Sequence, residues 1–367
     1  MSLGIYPYSD ADIPAIEEFN GRLGAIGSEY SFPRRPSDLM PQGPGVGPIR
    51  HDLFLAKEDA IMRGGYALKR EAMLIQGEAE AVCNLQIPLS EALIDRAYSN
   101  VGAAMVFDAT RRSKLIYCLG MGSAQRPLPQ LLAKLRWRIE HVPFHFRVLS
   151  AKNFLREIRF LRSRRMVAVV ADGLRFTGLG SLGVAGWSAA AALFSESTDD
   201  LAVEDLLAFD ARVDRLQDEL RGQYPLFCDR THAALNQKFP PGDVRLNRLI
   251  VTRAGTMIGW LLLTCTPLKN HKQFGNMKLG CIADGLCDSA DAEVLVRVAV
   301  EWLKERDVDL IVSNQCHRPW LRALRSNLFL EGPSNFVLAM SPALATRAPA
   351  LEDCYFNRGD GDGPINL

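Results

Sequence analysis

Apolar residues recur every three or four positions at Ile13, Ile16, Phe19 and Leu23, the period of one helix face, and Asp10 or Asp12 can cap its start. Residues 31–51 are rich in Pro, Gly and Arg and read as a loop. Residues 53–58 and 61–75 then read as strands joined at Glu58-Asp59, with 78–87 as a third. A helical pattern returns over 90–112, followed by a short buried strand at 115–119, a helix at 127–135 and a strand at 139–148.

The second half repeats this order. Leu206, Phe209, Val213, Leu216 and Leu220 form an amphipathic stripe, and a shorter helix is predicted over 230–239. Residues 246–253 and 257–266 read as a hairpin turning at Ala254-Gly255-Thr256, where glycine supplies the turn geometry. A strand at 278–283, a long helix at 290–306, a buried strand at 309–313, a helix at 319–327 and a closing strand at 335–340 complete the pattern. Two copies of one mixed unit imply a duplicated α+β domain, each copy a mixed, mainly antiparallel sheet flanked by helices. The expected boundaries are 1–149 for the first domain, 150–200 for a linker and 201–367 for the second.

Composition narrows the function classes. The 367 residues carry 43 Lys plus Arg against 42 Asp plus Glu, so the chain lacks the cation surplus of a dedicated nucleic-acid binder. At 48% hydrophobic and 23% charged it is an ordinary globular composition. The eight cysteines are scattered without a CxxC pair, which writes neither a zinc site nor a disulfide scaffold, and no metal is expected. The start of the chain has neither basic flank nor long apolar core, so no signal peptide is read there and a reducing, cytoplasmic setting is expected.

Residues 176–194 carry no charge and are about long enough to span a bilayer, after a flank containing Arg156, Arg159, Arg162, Arg164 and Arg165. The run is Gly, Ala and Ser rather than Leu and Ile, which favours a buried inter-domain segment over a membrane anchor. His141 and His145 share one strand face without a carboxylate to complete a metal site, which favours a structural role. The tail 357–367 has an Asp-x-Asp-Gly string but lacks the rest of a calcium loop, and its apolar end suggests that it folds back on the body.

The element order of each half resembles the GNAT acetyltransferase superfamily, the acyl-CoA N-acyltransferase fold. The most specific stretch runs from Asp309 through Asn314-Gln315-Cys316-His317 to Phe329 and is similar to the family's fifth strand and following helix. Asn327-Leu328 stands where the family has Gly-Phe. In the first half, 128–137 and His141-Val-Pro-Phe-His145 resemble the same helix and last strand. Two such domains in one chain also resemble the Fem-type aminoacyltransferases. The resemblance implies acyl transfer from an acyl-CoA, or an aminoacyl carrier, to an amine-bearing acceptor. It also implies a donor lying between splayed fourth and fifth strands, its pyrophosphate on the N-terminus of the next helix.

The family's pyrophosphate signature is Gln or Arg, two residues, Gly, one residue, Gly or Ala. In the second half the matching place holds Asp284, Asp288 and Asp291, which would repel a diphosphate, so no conventional donor loop is expected there. In the first half Arg96, Ser99 and Gly102 lie near a helix start, but their spacing departs from the signature. They read either as a degenerate donor loop or as an ordinary helix in which Gly102 allows close packing. The literal signature occurs at Arg175, Gly178 and Gly180, inside the linker, where Gly183 also completes a GxGxxG. A phosphate loop and a chance match in a Gly-rich run both remain open there.

For catalysis the strand ends of the second half offer Asp284, Asn314 and His317. Asp284 is a candidate base or a helix cap. His317 is a candidate base titrating near neutrality or a packing residue, and Asn314 is expected to hold a neighbouring strand open. The first half offers Asn84, Gln86 and Tyr117, none titratable near pH 7. Acyl transfer by the second half is the leading expectation, with a catalytically silent binding protein as the alternative.

Overall fold

The computed structural model describes residues 3–39, 47–157, 200–271 and 274–361. In chain order the first elements are β1 (Leu3–Pro7), α1 (Ile13–Ala25), β2 (Arg50–Glu58), β3 (Ile61–Ile75) and β4 (Glu78–Ser90). There follow α2 (Ser99–Arg112), β5 (Ile116–Leu119), α3 (Pro127–Lys134), β6 (Arg138–His141), β7 (Phe144–Val148) and α4 (Ala151–Glu157). After the linker come β8 (Leu201–Leu206), α5 (Arg212–Leu220), β9 (Leu226–Cys228), α6 (His232–Lys238), β10 (Leu246–Arg253) and β11 (Thr256–Pro267). The chain continues with β12 (Lys278–Cys287), α7 (Ala292–Lys304), β13 (Leu310–Asn314), α8 (Arg318–Ser326), β14 (Leu330–Gly332) and β15 (Val337–Met340).

These elements form two compact units that are not contiguous in sequence. The first comprises 1–141, 225–240 and 335–350, and the second 142–224, 241–334 and 351–367. Contiguous halves bounded at 149 and 201 therefore do not describe the molecule. The reason lies in two strands. Residues 139–148 read as one strand, but Pro143 cannot donate to a ladder and breaks the run into β6 and β7. β6 stays in the first sheet, whereas β7 pairs antiparallel with β13 and β14 of the second. In exchange β15, expected to close the second domain, lies between β5 and β6 of the first sheet.

The first sheet runs β1-β2-β3-β4-β5-β15-β6, with β9 pairing β3 at Met73–Ile75. α1 places Ile16, Phe19 and Leu23 against Leu53, Leu55 and Met62. Val101, Met105, Val106 and Ala109 of α2 are likewise buried with Leu68, Leu85 and Ile116. Each large aliphatic side chain so buried contributes about 1.5–3 kcal/mol. The second sheet runs β14-β7-β13-β12-β11-β10-β8 and buries Val213, Leu216 and Leu220 of α5 and Leu295, Ala299 and Leu303 of α7.

Among the described residues each unit has a parallel strand pair, β4 with β5 in the first and β12 with β13 in the second. The duplication is visible in a matched glycine. A Cβ on Gly64, opposite Ser90, would meet Leu89 O at 2.7 Å and Val101 of α2 at 3.0 Å. One on Gly259, opposite Cys287, would meet Leu286 O at 2.8 Å and Leu295 of α7 at 2.5 Å. In both units the helix after the parallel strand presses on the hairpin partner of that strand, which only glycine permits.

Candidate functional site

In both units the parallel pair parts after a few residues, and a register slip lies beside the parting. β4 pairs with β5 only at Cys83–Ile116 and Asn84–Tyr117. Its register against β3 then slips between Gly65 and Ala67. Opposite the slip, Ile87 has φ of +47°, an uncommon conformation for a β-branched residue, and Pro88 follows. Pro88 has no N–H, so β4 cannot keep a ladder on both sides. The strand instead runs on to Ser90, three residues beyond the expected end. In the second unit β12 pairs with β13 from Leu279–Leu310 to Ile282–Ser313, and the β11–β12 register slips between Leu262 and Leu263.

The first unit continues from this point into the predicted donor residues. Ser90 and Asp95 start two short turns by accepting from the N–H groups of Ala92 and Ala97. α2 then begins at Ser99 with Tyr98 at its N-cap and no side-chain cap, which leaves the positive end of the helix dipole toward solvent. Arg96 and Ser99 are exposed beside it. The nearby carboxylate of Glu91 is held by Arg22 at 2.8 Å and Arg63 at 3.0 Å, and Arg63 lies over the Tyr98 ring. At Gly102 an added Cβ would meet only Leu131 at 3.9 Å, an ordinary contact, so close packing does not explain that glycine. Arg175, Gly178 and Gly180, with the apolar run 176–194, lie outside the described residues.

The first unit also holds a polar row that sequence reading found only in part. Registers place His51, Lys69, Asn84 and Tyr117 side by side across β2, β3, β4 and β5. Glu71, two residues along β3, bonds Lys69 at 2.8 Å and Lys238 of α6 at 2.9 Å, and accepts the Tyr117 hydroxyl at 2.6 Å. Burial acts to raise the Glu71 carboxyl, but Lys238 and Lys69 outweigh it and hold it at about 2. Burial, and then Lys69, push the His51 imidazole down to about 4. Asn84 and Tyr117 were legible as strand-end candidates. Glu71 and Lys69 were missed because charged residues in a strand normally mark a solvent face, and Lys238 because a lysine at a helix end normally lies in solvent.

The second unit gathers Asp284, Asn314 and His317 around one segment, 354–361. Asp284 lies within β12, not at its end, because the strand continues to Cys287. The N-cap position of α7 is held by Asp291, not by Asp284. Asp284 Oδ1 accepts from Gly285 N at 2.8 Å and from Asn357 Nδ2 at 2.5 Å. Asn314 donates to Pro143 O, just before β7, at 3.5 Å and accepts from Arg358 at 2.9 Å. His317 packs against Tyr224 and Tyr355, with ring centroids 4.6 and 5.7 Å away. Burial lowers its imidazole to about 4, so it is neutral at pH 7 rather than titrating near neutrality. At the start of α7, Asp288 accepts from Gln223 at 2.6 Å and from Ala290 N, and Asp291 pairs with Arg253 at 2.8 Å. The chain thus brings its own carboxylates to that helix N-terminus.

His145 is fully buried in β7, and neither ring nitrogen has a hydrogen-bond partner among the described residues. Burial pushes it to about 4. Among the described residues no group of three or more His, Cys, Asp or Glu is placed to hold a metal ion, and no helix is long and apolar enough to cross a membrane.

No protein-family model matches the chain, and no curated protein matches it by sequence. Solved structures do match its fold. A GCN5-related N-acetyltransferase from Anabaena variabilis is 9% identical with a TM-score of 0.54, over 92% of this chain and 72% of that one. A conserved protein of unknown function from Enterococcus faecalis is 8% identical at 0.54, over 94% and 74%. An N-myristoyltransferase from Saccharomyces cerevisiae with bound myristoyl-CoA is 11% identical at 0.50, over 93% and 78%. The fold is therefore α+β, two GNAT-like units in one chain.

Proposed function

We propose that this protein is an N-acyltransferase that takes an acyl group from an acyl-CoA held by the first unit and passes it to an amine-bearing acceptor. The observation that carries this reading is the course of β4. It leaves β5 at Asn84–Tyr117, passes the Ile87 bulge and leads to the uncapped N-terminus of α2, flanked by Arg96. A parting of parallel strands is where an extended thioester arm can lie against the β4 edge, and a helix start with an arginine suits its diphosphate. The fold likeness to an acetyltransferase, and to a structure holding myristoyl-CoA, supports the same donor class.

In the reaction the acceptor's nitrogen attacks the thioester carbonyl, the carbon–sulfur bond breaks, and the thiolate leaves with the nitrogen's proton restored to solvent. N–H groups on the edge of β4 facing away from β3 polarise the carbonyl. Asp284 and His317 belong to the second unit, and their burial among Asn357, Tyr224 and Tyr355 argues against either accepting that proton. In the first unit Glu71 at about 2 and His51 at about 4 are both weak bases. The rate is therefore expected to follow the acceptor's own free-amine fraction, with log kcat/KM rising by one per pH unit up to the amine's pKa. A plateau set by an enzyme group near pH 6–7 would count against it.

CoA binding tests the donor site directly. CoA at a hundred times its Kd should stabilise the native protein by about 2.7 kcal/mol, read as a raised Tm. Arg96→Glu should weaken CoA at least about tenfold by placing an anion beside the diphosphate. No Tm shift at millimolar CoA would overturn the acyl-CoA donor. That result would favour the second reading, a catalytically silent binding protein, for which the packing of residues 354–361 on Asp284, Asn314 and His317 speaks.

A further inference from the structure

Where β12 and β13 part, the residues that follow in each strand bond to residues 354–361 instead of to one another. On the β13 side, Gln315 forms an antiparallel bridge with Asn357, and Cys316 N donates to Phe356 O at 3.3 Å. The Cys316 thiol accepts from Phe356 N at 3.1 Å and donates to Cys354 O at 3.1 Å. Arg358 donates to Asn314 at 2.9 Å. On the β12 side, Asn357 Nδ2 reaches Asp284 at 2.5 Å and the Tyr355 hydroxyl bonds Gly285 O. The segment then ends in a single turn, Arg358–Asp360, closed by Gly359 N to Asn357 Oδ1 at 2.9 Å and Asn357 N to Asp360 at 3.0 Å. Residues Cys354 to Asn357 are all buried.

We infer that the parting of strands in the second unit is a peptide-binding cleft whose occupant is this chain's own segment 354–361, so that this unit takes no thioester donor. Two observations point the same way. The occupant bonds both separated strands, as an extended ligand would, through its backbone on the β13 side and through the Tyr355 and Asn357 side chains on the β12 side. At the helix start beyond, Asp288 and Asp291 already supply the negative charge that a donor's diphosphate would bring. The two units then divide the work: the first offers the parting of β4 and β5 to a donor, and the second uses the equivalent place to hold residues 354–361.

The stoichiometry arm rests on the donor reading of the first unit, and the exchange arm does not. Calorimetric titration of the full chain with CoA should give one site per chain, and two would overturn the inference. No binding at all would overturn the donor reading, and the occupant is then decided by native-state hydrogen exchange. Asn357→Ala should accelerate exchange at Gly285 and Cys316 at least about tenfold while Leu338 in the first unit is unchanged. Equal acceleration at Leu338, or none at Gly285 and Cys316, would overturn the occupant. Should Asn357→Ala fail to fold, Tyr355→Phe removes only the hydroxyl on Gly285 O and is read at the same amides.

Discussion

Glu71 shows how a residue's neighbours decide its role. A carboxylate between two buried ammonium groups is anionic at all ordinary pH, and removing its charge takes a counter-ion from both Lys69 and Lys238. Glu71→Gln should destabilise the protein by about 3–5 kcal/mol, measured by denaturant unfolding. Because its folded value near 2 lies below the usual 4.5, its contribution is full above pH 4.5 and is lost as pH falls toward 2. The three depressed histidines act in a higher window. His51, His145 and His317 each titrate near 4 against the ordinary 6.5, so the unfolded chain binds more protons between those values. Stability should therefore rise with pH from about 4 to 6.5, and a His145→Gln variant should show a shallower slope in Tm against pH. Gly102→Ala gives an opposed pair of effects. It should raise stability by roughly 0.5–1 kcal/mol through helix propensity, since the added Cβ meets no obstacle, while weakening CoA if the α2 start holds the donor.

At the scale of elements, β15 is the most exposed to test. Its four residues are fully buried between β5 and β6 of the first sheet. Leu338→Ala should cost about 2–5 kcal/mol, and hydrogen exchange should locate the loss in β5 and β6. Most elements were legible from periodicity: α1, the β10–β11 hairpin, α7 and the strand-helix run from β13 to α8 appear where the apolar spacing puts them. The departures have local causes. Residues 90–98, read as helix, form two short turns because Ser90 and Asp95 side chains capture the backbone N–H groups that a helix would need. β4 outruns its expected end because a bulge lets a strand continue past a proline.

At the scale of the molecule, exchange of β7 and β15 makes each unit depend on both halves of the sequence. A fragment of residues 1–149 lacks β15, β9 and α6, and leaves β5 and β6 without the strand that joins them. It should be unfolded by circular dichroism and show no cooperative melting, whereas independent folding would contradict the division into units. The candidate site was legible to a similar depth. Arg96 and Ser99 were visible because they lie near a helix start, and Asn84 and Tyr117 because they lie on the strands read at 78–87 and 115–119, but Lys238 reaches Glu71 from α6, more than 150 residues along the chain. No local pattern announces such a partner.

The sequence by itself determined what depends on near neighbours: helix and strand periods, the glycine turn at 255, and the repetition of one α+β unit. Only the tertiary structure decided which sheet receives β7 and which receives β15. A short apolar run specifies that a strand is buried, while its backbone groups pair equally well with any open edge. The same generality lets residues 354–361 fill the second unit's cleft. That occupation, more than the identity of Asp284, Asn314 or His317, sets what those residues can do.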